Sequence, residues 1–174
     1  MLARPATLQD VAAVGALVCA SLSEAPSSAF VRQDFAEDEV EVGRELLVSA
    51  LAAGDLAWVI ETGEQIAGVA LTRRRPLARA AHIGDLTLLV HPLARERGCG
   101  RLLLREIVAD AHRSVDIHKL AMRIAVDDVA LERTLSTSGM PWARERLEQG
   151  ALRRGALVLD VDVWGLVLGH GPIP

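Results

Sequence analysis

Hydrophobic positions change period along the chain, and the changes mark its elements. Leu8, Val11, Val14, Leu17 and Val18 recur at helical spacing through about Ser21. Thr7 with Asp10 three positions on reads as the start of that helix, and Leu2-Ala3-Arg4 before Pro5 reads as a short strand. A second helix is expected from near Asp34 to Ala53, with Glu37, Asp38 and Glu39 suited to its positive end and Gly54 to its stop. The segment Ser23 to Ser28 between them reads as a loop.

The period then shortens. Leu56 to Glu61 and Ile66 to Leu71 are apolar runs around Thr62-Gly63-Glu64-Gln65, the pattern of a β-hairpin. A third run, Ala81 to Val90, ends at His91-Pro92, where proline removes a ladder donor; its apolar end from Leu86 predicts a strand buried on both faces. From Gly100 the helical period returns in Leu103, Leu104, Ile107, Val108 and Ala111. Lys119 to Val126 alternates as a strand, Asp127 and Asp128 cap a helix ending at Gly139, and Val158 to Leu168 has the composition of a closing strand. Pro141 to Arg154 follows no clear period and is expected to hold a short helix. This order implies an α/β protein, one mixed sheet with helices on both faces, and a single domain over 1–174.

Composition narrows the function. Half of the 174 residues are hydrophobic (51%), enough for a real core, and no apolar run reaches the ~20 residues that cross a bilayer. The start lacks the layout of a secretory signal, so a cytoplasmic location is expected. A formal net charge of -4 argues against nucleic acid as partner. Cys19 and Cys99 build no disulfide framework, and His91, His112, His118 and His170 are too scattered for a metal site, so no metal is expected.

The segment Val90 to Leu104 carries the chemistry. A buried strand ends, a short loop holds Gly98 and Gly100, and an amphipathic helix begins at once. Glycine permits positive φ and close approach of the backbone to a ligand. The first helical N–H groups have no internal partner, and the helix dipole favours an anion there. With Arg95, Arg97 and Arg101 around it, the spot suits a phosphate or pyrophosphate. It is not the dinucleotide fingerprint, because Leu103 holds the third glycine's place, and no Gly-Lys-Ser or Gly-Lys-Thr of a P-loop follows.

Arg95-x-x-Gly98-x-Gly100 after Val-His-Pro resembles the acetyl-CoA signature of the GNAT superfamily of N-acetyltransferases. The opening Arg4 to Asp10, the hairpin Val59 to Gly68 and the helix Asp127 to Gly139 are similar to that family's first strand and helix, second and third strands, and fourth helix. Pro141 to Arg154 fits poorly. The resemblance implies an acyl-CoA N-acyltransferase-like fold: a largely antiparallel sheet splayed around acetyl-CoA, between the strand ending at Val90 and the strand Leu120 to Val126. The pyrophosphate would rest on main-chain N–H groups of Arg97, Gly98, Cys99, Gly100, Arg101 and Leu102. The pantetheine arm would pair with Leu88, Leu89 and Val90, and Asp127 or Asp128 would contact it. An N–H near Leu89 or Val90 would face the thioester oxygen, and the amine, bound from the other side, would attack directly.

Such a reaction needs a base for the ammonium and an acid for the thiolate. The candidate bases are Asp85, His82 and Glu24, with a water relay as rival; a bulge in the third strand would change which face Asp85 joins. The acid in this family is often a Tyr, whose place here is held by Leu135 in a chain with no Tyr. Water, Ser136 or Ser138 would have to substitute. The expected activity is acetyl transfer from acetyl-CoA to a primary amine on a small molecule, peptide or protein, with a homodimer formed through the final strand region. The alternative is a CoA-binding module, a sensor or partner subunit with little or no catalysis.

Overall fold

The computed structural model describes residues 1–23, 38–63, 65–154 and 157–169. Its strands are β1 (Leu2–Pro5), β2 (Ala57–Thr62), β3 (Gln65–Arg74), β4 (Ile83–Val90), β5 (Lys119–Ala125), β6 (Ala143–Arg154) and β7 (Leu157–Val167). They form one sheet in the order β1-β2-β3-β4-β5-β7-β6, antiparallel at every junction except β4–β5. That single parallel junction needs a crossover, which α4 (Cys99–Arg113) supplies.

Alternation along the strands sorts side chains between two layers. On one face Val59, Val69, Leu71 and Leu89 bury against Val14, Leu17 and Val18 of α1 (Val11–Ser23). Val42 of α2 (Glu39–Gly43) and Leu46 and Leu47 of the π-helical stretch Arg44–Val48 join them, ahead of α3 (Ser49–Ala52). Helices α1 and α2 approach to backbone contact, because a Cβ at Gly43 would fall on the carbonyl of Val11. On the opposite face Ile60, Ala70, Leu86, Leu88, Leu120, Met122 and Ile124 pack under Leu103, Leu104, Ile107, Val108 and Ala111 of α4. Leu135 of α5 (Val129–Ser136) completes that layer.

The first helix, the hairpin, the third strand and the fold class stand as the sequence predicts. The expected start of the second helix near Asp34 and the loop Ser23 to Ser28 lie wholly or largely outside the described residues. Pro141 to Arg154 is a correction: it is not a helix but carries the edge strand β6. Its register against β7 shifts between Arg144 and Arg146 and again between Glu148 and Leu152. Each extra residue flips the alternation, so neither a two-residue nor a helical period survives in the sequence.

Candidate active site

Strands β4 and β5 pair only through Ile83↔Lys119, Gly84↔Leu120 and Asp85↔Ala121. Beyond that point β4 stays with β3 as far as Val90, and β5 stays with β7 as far as Ala125. The sheet therefore opens into a gap with its apex at Asp85 and Ala121.

The β3–β4 register is unbroken, so no bulge changes the facing of β4. The His91 N–H donates to Ala67 O at 2.8 Å, and the Arg75 N–H donates to Ile83 O at 3.2 Å. Odd-numbered residues of β4 thus turn their main chain to β3, Leu89 included, while Leu88 and Val90 turn theirs to the gap. Side chains alternate independently: Asp85 shares the face of Leu89 and α1, and Leu86 and Leu88 share the face of α4.

After β4 the chain makes a tight link. His91 Nδ1 accepts from the Leu93 N–H at 3.2 Å, and Arg95 Nε donates to Val90 O at 3.4 Å. Glu96 and Gly98 take positive φ, 61° and 82°, and Gly98 caps α4. The Leu102 N–H donates to Gly98 O at 3.0 Å, the first helical bond, so the amides of Cys99, Gly100 and Arg101 precede the helical ladder.

The two glycines serve different needs. Gly98 is required by its backbone angle, with no atom within 4 Å of where a Cβ would stand. Gly100 lines the gap: a Cβ there would lie 3.6 Å from Thr134 Cγ2, 3.6 Å from Val90 Cγ2 and 3.8 Å from Leu88 Cδ2. The donors of the turn are main-chain amides, ringed by the half-buried Arg95 and the exposed Arg97 and Arg101. Such a donor set fits a pyrophosphate. Cys99 turns inward, 2% exposed, its thiol donating to Met1 Sδ at 3.5 Å, so it presents only main chain to the turn.

The other candidates are spread out. Asp85 stands at the apex, where both its oxygens accept from Arg75, Nε at 3.0 and 3.1 Å and Nη2 at 2.7 Å. The hydrogen bond to the Asp85 carboxylate raises the pKa of the Arg75 guanidinium. His82 is exposed ahead of β4, at the closed end, its ring edge-on to His118. Six residues of strand, ~20 Å, separate it from Leu88. Glu24 lies outside the described residues. Asp128 accepts from the Leu131 N–H at 3.1 Å and caps α5.

The hydroxyls of α5 and of the turn after it are engaged by main-chain oxygens of that helix. Thr134 donates to Ala130 O, Ser136 to Glu132 O and Ser138 to Leu135 O, at 2.9, 2.8 and 2.7 Å. Leu135 is fully buried. Thr134 is a gap-lining residue that the sequence reading missed; its position one before Leu135 was the only signal. Among the described residues no group of His, Cys, Asp and Glu is placed to hold a metal ion, and no helix is long and apolar enough to cross a membrane.

Comparison with solved structures finds the same fold. A ribosomal-protein-alanine N-acetyltransferase from Brucella melitensis is 22% identical with a TM-score of 0.85, over 97% of this chain and 100% of that one. An acetyltransferase of the GNAT family from Streptococcus pneumoniae is 21% identical with a TM-score of 0.83, over 97% and 99%. The structure of yncA from Salmonella typhimurium with its cofactor acetyl-CoA is 19% identical with a TM-score of 0.83, over 100% and 97%. No curated protein matches the sequence. The acetyltransferase (GNAT) family matches residues 20–136, more than half of the sequence, and the chain belongs to that family.

Proposed function

We propose that the chain transfers acetyl from acetyl-CoA to a primary amine by direct attack in a ternary complex. The observation that carries this reading is the gap between β4 and β5, which leads to the glycine turn at the start of α4. The likeness to a structure with acetyl-CoA supports it. Amides of Cys99, Gly100 and Arg101 would hold the pyrophosphate, with Arg95, Arg97 and Arg101 supplying positive charge. The main chain of Leu88 and Val90, turned to the gap, would pair with the pantetheine arm. Bound acetyl-CoA supplies a thioester carbonyl at the end of the arm away from the turn, where the Leu88 N–H, turned to the gap as that of Leu89 is not, would stabilise charge developing on its oxygen.

Asp85 at the apex is the described carboxylate best placed to take the amine proton, directly or through one water. Arg75 fixes its orientation. No phenol and no disengaged α5 hydroxyl stands ready to protonate the leaving thiolate, but a thiol titrates near pH ~8.5, so thiolate departs tolerably into solvent. That same lack of an acid favours one second reading, a CoA-binding module that turns over slowly or not at all. Incubation with acetyl-CoA and a panel of primary amines tests both through release of free thiol. Acetyl-dependent release supports the transferase; CoA binding without release on any amine supports the module.

A further inference from the structure

We infer that the acceptor carries an oxyanion close to its amine, as a free α-amino acid does, and that Arg73 and Arg123 read it on the face opposite α4. The inference rests on the proposed transfer, which places the cofactor's diphosphate at the start of α4 and leaves the apex to be approached from the other face.

On that face α1 packs over β3 and β4, while the part formed by β5, β7 and β6 carries ion pairs. Val161 and Val163 are buried there, 3% and 1% exposed, with Arg123, Arg146 and Glu148 at neighbouring registers. Among the described residues three carboxylates mark the surface. Asp85 is held by Arg75, and Glu145 is held by Lys119 at 2.6 Å. Glu145 reaches Lys119 by lying over Gly165, a position where any Cβ would collide with its carboxylate. Glu148 is shared by Arg123 at 2.8 Å and Arg146 at 2.7 Å, and these two arginines hold its carboxyl below the usual range.

Positive charge is left over. Glu148 neutralises only one of its two arginines. Arg73, exposed and directly across from Asp85, has no hydrogen-bond or ion-pair partner among the described residues. Among the described residues a surplus of two positive charges therefore surrounds the apex, in a chain whose formal net charge is -4. Arg73 on β3 and Arg123 on β5 flank the apex from its two sides. Arginine's planar fork of donors is matched to carboxylate oxyanions. A purely cationic amine would meet repulsion here, whereas an α-amino carboxylate can place its ammonium toward Asp85 and its carboxylate on an arginine. A peptide N-terminus has an amide where the free amino acid has a carboxylate, so it forfeits that contact.

The test is calorimetric titration of the CoA-loaded protein with L-amino acids, each paired with its own amide, and with a short peptide. The preferred amino acid is expected to bind at least ~10-fold more tightly than its amide. Arg73→Gln with Arg123→Gln should remove that preference, while Arg105→Gln on the outer side of α4 should keep it. Equal or tighter binding of the amide or the peptide, a preference surviving the double variant, or no amino acid binding while CoA binds would each overturn the inference and leave the proposed transfer standing. Failure of CoA itself to bind would sink both.

Discussion

Thr134 on α5 faces Gly100 on α4 across the gap, its Cγ2 3.6 Å from where a Cβ of Gly100 would stand. A methyl group there makes ordinary contact, so Gly100→Ala is expected to fold with stability within about 1 kcal/mol of wild type. Gly100→Glu instead puts bulk and negative charge into the turn. Its affinity for CoA should fall at least ~100-fold, about 2.7 kcal/mol. Calorimetric titration with CoA measures this, and an unchanged affinity would remove the glycine turn from the site.

Asp85→Asn separates the base from the scaffold. The Asp85 side chain is 46% exposed and its ion pair with Arg75 lies near the surface, so the variant should lose no more than about 1 kcal/mol. Turnover should fall further, by about 10²–10⁴-fold in kcat/KM. If thiol release stays within about threefold of wild type, a water relay and not Asp85 takes the proton.

The engaged hydroxyls of Ser136 and Ser138 make an opposite prediction. Ser136→Ala and Ser138→Ala should each leave thiol release within about twofold of wild type, because neither proton is available to a leaving group. Ser138→Ala should nevertheless cost about 1 kcal/mol, since Ser138 Oγ also accepts from the Met140 N–H at 3.2 Å. A tenfold fall in either variant would assign the missing acid to that hydroxyl.

Local features were readable from sequence and long-range ones were not. The start of α4 was legible because glycine, dipole and the spacing of Leu103, Leu104 and Ile107 all act within a few turns of chain. The hairpin β2–β3 was legible for the same reason. By contrast, the gap depends on where β4 and β5 part, which no local period records; the resemblance implied it. The bond between Arg75 and Asp85 joins residues on either side of the link between β3 and β4, and it disappears into a run of arginines. The charged face stayed hidden because its outer strand, β6, changes register twice.

Arg4 and Asp10 tie the entry of α1 to the first strand, and their charges should shape acid stability. Arg4 donates to both oxygens of Asp10 at 2.7 and 2.8 Å, and the N–H and hydroxyl of Thr7 donate to Oδ2 at 2.8 and 3.1 Å. Asp10 is 5% exposed, and these partners, Arg4 first, hold its carboxyl below the ordinary range. A carboxyl whose folded pKa is lowered stabilises the fold fully above the unfolded value of ~3.9 and loses that contribution as pH falls toward and through the folded one. Asp10→Asn keeps the shape but removes the charge, and should cost about 1–3 kcal/mol at pH 7, with Arg4 partly exposed to water. Urea unfolding of both proteins between pH 7 and pH 2 gives the check. The advantage of wild type should be constant above about pH 5 and shrink steadily below pH ~4. A gap of equal size at both ends of that range would mean that shape, and not the ionised carboxylate, holds this corner together.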